Sequence, residues 1–339
     1  MGPTLLLDKS AFQALTSDEM RRITKYFYWN RVDILLVEII ADLLKQTKTA
    51  SSRNETSRLA DKISVTDSGQ NVNYIALCLA NLDGNEVIMD GRAIVAPTTI
   101  STLADGQVAA LIDDNAFCEM IYRLQKGEFN KHDEILANLW KGIKSSSKAD
   151  NCIPFLQAHR IIIPESTSIN ELRIEIFKLL NNPQMQHVLL DMFLSYQDVS
   201  STKKHNLLSR LKQYPYPLPI AAPYTFYCLK VFLLFLGAYK FNLLPKKKTD
   251  DQIDLEYLFY LPFCHVFSSN DKFHKTLAPA LMRKDQCFLI GTNLKKGIQE
   301  IDNLPAHKET MNAQCFPVPP MPKESIIRDV WKKTGWLHD

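Results

Sequence analysis

Two short apolar runs, each followed by an aspartate, lie far apart in the chain and constrain its fold more than any other feature. Residues 4–7 lead to Asp8, and residues 264–268 lead to Ser269-Asn270-Asp271. Short apolar runs of this kind are typical of strands buried on both faces, as in a parallel sheet. In open α/β sheets, polar residues that follow such strands lie at the carboxyl edge, where sites form. The sequence therefore predicts that Asp8 and Asp271 share one edge of a sheet.

The predicted sheet is divided between two segments of the chain. We predict that residues 3–45 and 220–292 fold together as one parallel α/β sheet flanked by helices, because neither segment alone can cover its buried strands. The corresponding domain division is a discontinuous core (1–45 and 220–300), a large, mostly helical insertion with a small β-hairpin (46–219), and a C-terminal tail with a short helix (301–339).

Local patterns predict the elements of each segment. A capping-box pattern at residues 16–19 predicts a helix that runs to about Trp29 and ends at Asn30. A buried core helix is predicted over 224–244, where Lys230 and Lys240 interrupt the apolar run and argue against a membrane span. Further expectations are helices over 10–15, 34–45, 168–180 and 185–196, a flexible connection over 46–70, a hairpin around 86–89, a short strand over 160–163, a loop over 200–204 and a last strand over 286–290.

Composition describes an ordinary globular protein. The 339 residues are 46% hydrophobic and 23% charged, which argues against disorder. The net charge of +3 is too small to indicate nucleic acid binding by itself. Seven cysteines, an odd number without a CxxC pair, lie mostly in apolar runs and predict reduced, buried thiols in a cytoplasmic protein. The first residues lack the basic-then-apolar pattern of a signal peptide.

Three further acids stand out by their apolar surroundings. Glu38 lies on the predicted helix over 34–45, where a carboxylate is costly unless it is paired or bound to a metal. Asp42 follows four residues later and so shares its face of the helix. Pairing of Glu38 with a core arginine or lysine is an open alternative. Asp254 begins an apolar helical stretch shortly before the second strand.

The four acids Asp8, Glu38, Asp254 and Asp271 predict a metal site if they meet in space. Together they would repel one another and raise one another's pKa values unless divalent cations lay between them. Mg²⁺ or Mn²⁺ suits oxygen-only ligands and keeps several waters. Such ions activate a water and stabilise the attacking and leaving oxygens in phosphodiester hydrolysis.

Four more residues are predicted to support this site. Ser10 and Ser269 lie two residues from the strand-end aspartates, close enough in sequence to orient a carboxylate or a metal-bound water. Asn270 and Asp42 complete the supporting set. We expect His274 to be a helix-surface residue beside the site, because most histidines near such a motif are structural.

These motifs, taken in order, resemble those of PIN-like domains, a family of metal-dependent nucleases. In that family the first strand ends in an acid followed two residues later by Ser or Asn, as in Asp8-Lys9-Ser10. An acid on an early apolar helix matches Glu38, and an acid at the start of the helix before the last-but-one strand matches Asp254. A Thr/Ser-x-Asp that closes this strand matches Ser269-Asn270-Asp271. The longer runs DKSAFQAL, VEIIADL and DLEYLFYLPFCHVFSSNDKFH also resemble uncharacterised bacterial PIN-like proteins.

The resemblance covers roughly residues 3–45 and 220–292 and implies a function. It implies a nuclease, with RNA as the first choice of substrate and DNA as the second, and the four acids as ligands of Mg²⁺ or Mn²⁺. The chain departs from a compact PIN domain in size, because Glu38 and Asp254 are 216 residues apart (254 − 38). We expect the intervening helical segment to bind a protein partner or a second copy of the chain, and we expect no membrane partner.

Other functions fit the same residues less well. A haloacid-dehalogenase-type phosphatase needs a second acid two residues after the first, and Ser10 occupies that place. No GxSxG motif or glycine-rich phosphate loop is present. The rival of another class is a PIN-like binding or scaffold protein, for nucleic acid or protein, that lacks turnover.

Overall fold

The computed structural model describes residues 2–45, 50–64, 66, 68–95, 98–102, 108–112, 115–145, 148–213, 216–245, 251–301, 310–311 and 317–337. The strands are β1 (Thr4–Leu7), β2 (Tyr28–Arg31), β3 (Ser68–Gln70), β4 (Thr98–Thr102), β5 (Val108–Ile112), β6 (Val266–Ser269), β7 (Cys287–Ile290), β8 (Thr310–Met311) and β9 (Pro317–Val318). The helices of the first half are α1 (Lys9–Ala14), α2 (Ser17–Tyr26), α3 (Asp33–Lys45), α4 (Ala50–Ser64), α5 (Tyr74–Leu82), α6 (Asn115–Gln125), α7 (Lys131–Ser145) and α8 (Lys148–Ala158). Those of the second half are α9 (Ile169–Leu180), α10 (Pro183–Tyr196), α11 (Ser201–Gln213), α12 (Leu218–Ala221), α13 (Pro223–Lys240), α14 (Asp251–Phe259), α15 (Lys272–Leu281), α16 (Gly291–Ile301) and α17 (Ile326–Lys333).

A parallel sheet lies at the centre of the molecule and confirms the predicted α/β class. Within the described residues it has five strands in the order β3-β2-β1-β6-β7, and each neighbouring pair is parallel. Strand β1 pairs with β6 in the register Leu5–Val266, Leu6–Phe267 and Leu7–Ser268. The two ends of the predicted core therefore meet directly, and the residues that follow β1 and β6 lie at one edge.

Burial explains why these strands occupy the centre. Every residue of β1 and of β6 is buried, so helices cover both faces of the middle of the sheet. The apolar helix α13 is buried along most of its length and packs against α5, α9 and α14. Its N-terminus is held by the side chain of Asn81, whose Oδ1 accepts from the backbone N–H groups of Tyr224 and Thr225 at 2.9 and 3.2 Å. Sheet and helices share one continuous hydrophobic core.

The predicted helix through Trp29 is wrong in its last three residues. Helix α2 has the expected capping box at Thr16 and Glu19 but ends at Tyr26, and strand β2 follows it. The indole of Trp29 is fully buried and stacks on Phe12 with ring centroids 5.3 Å apart. Tertiary packing in the sheet thus overrides the local helical pattern.

The segment over 46–219 contains the largest departures from prediction. The expected flexible connection over 46–70 instead holds α4 and strand β3, which pairs with β2 in the central sheet. No hairpin forms at 86–89, a described but irregular stretch; within this segment, β4 and β5 form an antiparallel pair. Residues 160–163 are irregular rather than a strand, and 201–213 form helix α11 rather than beginning as a loop. Because β3 belongs to the sheet, the sheet extends beyond the predicted core boundaries, although the domain division itself stays a prediction.

Other expectations agree with the structure. Helices α1, α3, α9, α10, α13 and the tail helix α17, and strand β7, lie within a few residues of their predicted positions. Among the described cysteines, all free thiols, only Cys118 is exposed; Cys315 lies outside the described residues. In the part of the chain that the structure describes, no helix combines the length and hydrophobicity that crossing a membrane requires.

Candidate functional site

Asp8 lies at the carboxyl end of β1 and forms the N-cap of helix α1. Its Oδ1 accepts a hydrogen bond from the backbone N–H of Ala11 at 2.8 Å, which satisfies a helix N-terminal donor. The side chain is 3% exposed. A buried carboxylate is tolerated here because the helix N-terminus and several hydroxyl groups surround it.

Two serines hold the Asp8 carboxylate. The hydroxyl of Ser10 lies 2.9 and 2.8 Å from its two oxygens, and the hydroxyl of Ser269 donates to Oδ2 at 2.6 Å. Ser10 also accepts from the backbone N–H of Asn270 at 2.9 Å. The predicted supporting residues Ser10, Ser269 and Asn270 therefore lie around Asp8.

Asn270 joins three loops at this edge of the sheet. Its side-chain amide donates to the backbone carbonyl of Ser10 at 3.3 Å, and its Oδ1 accepts from the backbone N–H of Thr292 at 3.1 Å. Gly291 makes this approach possible, since a Cβ there would lie 2.7 Å from the Asn270 amide nitrogen. The turn after β6 is thereby tied to the turns after β1 and β7.

Asp271 is the N-cap of helix α15 and adjoins the Asp8 network. Its Oδ1 accepts from the backbone N–H of Phe273 at 2.7 Å, and its own backbone N–H donates to the Ser269 hydroxyl at 2.9 Å. The same hydroxyl donates to Asp8, so one serine bridges the two strand-end aspartates. Asp271 itself is half-buried.

His274 is a site residue whose position was predicted wrongly. It is fully buried rather than on the helix surface, and its Nδ1 lies 3.2 Å from Asp8 Oδ2 and 2.9 Å from the Ser269 hydroxyl. Its Nε2 lies 2.8 Å from the backbone carbonyl of Asp254, an atom that can only accept. Because the Ser269 proton is directed at Asp8, Nδ1 must donate as well. Both ring nitrogens then carry a proton, which makes His274 a cation paired with Asp8.

The pKa of His274 agrees with this assignment. Burial lowers it, but the hydrogen bond to Asp8 and the negative charges of Asp254 and Asp8 outweigh burial and raise the pKa to about 9. A sequence signal for this role existed. His274 is the third residue after the N-cap Asp271, the position from which a side chain reaches back toward the cap in a capping box.

Asp254 and Glu38 approach the same edge from helices α14 and α3. Burial raises the pKa of Asp254 to about 7; the cationic His274 opposes the rise, while the charges of Asp271, Glu38 and Asp8 add to it. Glu38 is half-buried and accepts a 2.7 Å hydrogen bond from the hydroxyl of Tyr257, one turn after Asp254. The four predicted acids are thus close enough to act on one another electrostatically.

Asp42 has a different role from the other acids. Its Oδ2 forms a 2.5 Å ion pair with the ammonium of Lys9, and both groups are largely buried. The same ammonium donates to the backbone carbonyl of Glu38 at 3.0 Å. Asp42 therefore supports the site indirectly, by fixing the side chain that joins α1 to α3.

The donor chemistry of the site suits Mg²⁺ or Mn²⁺, although the side chains are not arranged as a complete ligand set. Among the described residues, no three His, Cys, Asp or Glu side chains are grouped as a set that could hold a metal ion. Mg²⁺ is commonly held by only one or two carboxylates together with waters and substrate phosphate, so a pair of acids satisfies its needs. The half-buried oxygens of Asp254, Glu38 and Asp271 are chemically suitable donors.

The resemblance to PIN-like domains rests on the order of the acids and motifs in the sequence and stays a prediction. Parallel sheets flanked by helices serve many unrelated functions, so the architecture alone assigns no activity. No family model, curated protein or solved structure matches this chain.

Proposed function

We propose that this protein is a divalent-metal-dependent phosphodiesterase that cleaves nucleic acid. The observation that supports it best is the gathering of Asp8, Glu38, Asp254 and Asp271 at the carboxyl edge of adjacent parallel strands. Such edges are where open α/β sheets bind their ligands. Clustered carboxylates whose charges act on one another are candidates for a functional site.

Each acid has a distinct proposed part. Two of the half-buried acids Asp254, Glu38 and Asp271 would hold Mg²⁺ or Mn²⁺, together with waters and substrate phosphate. Asp8 is the buried member, and its orientation is set by Ser10, Ser269 and His274. When bound, the metal would activate a water and neutralise charge on the phosphate.

The choice of RNA over DNA follows from the PIN-like resemblance. A net charge of +3 gives no broad electrostatic preference for either polymer. Recognition of a particular nucleic acid sequence or shape is therefore assigned to surfaces outside the acid cluster. The helical segment over 46–219 is the proposed binding region for a protein partner or a second copy of the chain. Reduced thiols suit the proposed cytoplasmic location.

A cleavage assay tests this function directly. Single-stranded RNA and DNA labelled with a fluorophore and a quencher are incubated with the protein in Mn²⁺, Mg²⁺ or EDTA. We expect metal-dependent cleavage that Asp271→Asn reduces by at least about a hundredfold, because Asp271 would help to hold the metal, and loss of the charge stabilisation that the metal would supply costs about 10²–10³ in rate. The matched control Asp18→Asn, which removes an exposed surface acid, should retain full activity.

A second function, nucleic acid or protein binding without turnover, is favoured by one observation. The Asp8 carboxylate is already surrounded by Ala11 N–H, two serine hydroxyls and His274, the arrangement of a structural ion pair. Fluorescence anisotropy with the same labelled RNA separates the two functions. Saturable binding in EDTA, with no cleavage in either metal, would replace the phosphodiesterase by the binding module.

A further inference from the structure

A large cavity lies at the edge of the sheet opposite the acid cluster. Its volume is about 770 Å³, within the range of small-molecule sites. It lies beside the residues that precede β6 and β7, including Pro262 and Gln286, and helices α9, α13 and α15 form its walls. The acids follow the carboxyl ends of the same strands, so the cavity is separate from the proposed phosphodiesterase site.

The cavity wall is mostly apolar. Ile174 and Phe177 of α9 are each about half exposed, although both are large hydrophobic residues. Met89 and Met282 also line the space, and their flexible thioethers adapt to ligands of irregular shape. An apolar surface in a concave site is the usual lining of a pocket for a small organic molecule.

Four cationic side chains interrupt this apolar wall, and they fall into two classes. Lys178 pairs with Glu175 at 2.6 Å, and Arg283 pairs with Asp285 at 2.9 Å. No carboxylate among the described residues lies within ion-pair distance of the other two, Arg173 and Lys230.

Lys230 is the more unusual of these two cations. It lies in the middle of the apolar helix α13, where its ammonium is 5.4 and 5.8 Å from the ring centroids of Phe226 and Tyr227. These cation–π contacts offset part of the cost of its burial. Burial nevertheless lowers the pKa of Lys230, and the positive charge of Arg173 lowers it further. Two like charges thus face a shared apolar space.

An anion between them would remove that repulsion. We propose that this cavity binds a small amphiphilic anion, with its carboxylate or phosphate head between Arg173 and Lys230 and its apolar body against Ile174, Phe177 and Met282. Arginine and lysine both form strong charge-assisted hydrogen bonds to such heads. The apolar wall is the reason for proposing an apolar body, because a simple inorganic anion would leave that wall uncovered.

Binding of matched ten-carbon probes tests the proposal. Decanoate, decanol and decyltrimethylammonium are titrated below their aggregation concentrations and followed by calorimetry, with phosphatidylglycerol vesicles in a separate arm. We expect decanoate to bind at a single site and at least about tenfold more tightly than either other probe, as one lost charge-assisted contact implies. Equal binding of all three probes would overturn the proposal. Vesicle binding without decanoate binding would also overturn it, in favour of a membrane surface.

Two variants of the same helix locate the site. Lys230→Met should weaken decanoate binding by about tenfold or more and should melt at the same or a higher temperature, because it removes a desolvated and repelled charge. Lys240→Met, at the solvent end of α13, is the matched control and should bind as the wild type does. Unchanged decanoate affinity in Lys230→Met would overturn the proposal. A lower melting temperature in that variant would do the same, since it would make Lys230 a structural residue.

Discussion

At the scale of single residues, two members of the acid cluster, Asp8 and Asp254, have different surroundings. Asp8 lies against the cationic His274, with both side chains almost wholly buried. The backbone carbonyl of Asp254, and not its carboxylate, lies 2.8 Å from Nε2 of His274. Burial raises the pKa of the Asp254 carboxyl, the charge of His274 opposes the rise, and the charges of the surrounding acids add to it.

Replacement of these two acids should change stability in opposite directions. Asp8→Asn leaves His274 as a buried cation without its counter-charge, and breaking a buried pair costs about 3–5 kcal/mol. His274→Gln combined with Asp8→Asn should recover part of that loss. Denaturant unfolding of the two single variants and the double variant, in EDTA, measures the coupling. If the changes in unfolding free energy of the two single variants add up to that of the double variant, the ion pair is contradicted.

Asp254→Asn should stabilise the metal-free protein in a pH-dependent way. The pKa of Asp254 is raised from 3.8 to about 7 in the folded state. The folded protein therefore binds the extra proton more tightly, and the wild type loses stability as pH rises from about 4 to 7. The melting temperature of Asp254→Asn relative to wild type should increase over that window and level off above it. A difference that stays constant with pH would refute the assignment.

At the scale of elements, helix α4 contains a buried lysine that caps another helix. The Lys62 ammonium donates to the backbone carbonyls of Phe12 and Gln13, at the end of α1, at 3.2 and 3.1 Å. Burial is the main cause that lowers its pKa from 10.5 to about 8, and the charge of Arg58 contributes. Asp8 is the N-cap of helix α1, so the Lys62 contact fixes the opposite end of the helix next to the site.

The titration of Lys62 gives this contact a measurable signature. Because the folded-state pKa lies below the unfolded value, the unfolded chain binds more protons between pH 8 and 10.5, and wild-type stability should rise with pH over that window. Lys62→Met should lack that increment. Melting temperatures of both proteins at about pH 7 and about pH 10 measure it, and parallel curves would mean that Lys62 titrates normally.

The sequence was sufficient to predict elements that have a strong local pattern. It was insufficient where tertiary contacts decide the secondary structure or the burial of a residue. Strands β1 and β6 were predictable because their apolar runs end abruptly in aspartate, and the apolar helix α13 was predictable from its length. Strand β2 was missed because residues 28 and 29 continue a helical pattern, and the strand at 28–31 depends on pairing with both β1 and β3. The four acids could be chosen from sequence, and the place of His274 three residues after the N-cap Asp271 was a signal for its role. Its burial could not be predicted, since it depends on Tyr257 and Phe267 packing around it.

At the scale of the whole molecule, the segment over 46–219 is built into the core. It supplies β3 to the sheet, and Asn81 within it caps α13. We therefore expect one cooperative unfolding transition, in which tryptophan fluorescence and far-UV circular dichroism change together in urea. The fluorescence reports on four tryptophans, among them the buried Trp29 and Trp331. Two separated transitions would show that the helical segment unfolds as an independent domain.

The pairing of β1 with β6 has a consequence for the protein as it is being made. The hydrogen bond from Thr4 N–H to His265 joins residues 261 positions apart, so one side of β1 lacks its partner strand until most of the chain has been synthesised. At about 5–20 residues per second, that interval is on the order of 10 to 50 seconds. During it β1 presents an open edge, the kind of surface that recruits other chains. Its completion by β6 also brings Ser269 and His274 to Asp8, so a nascent chain released early would lack the entire acid site.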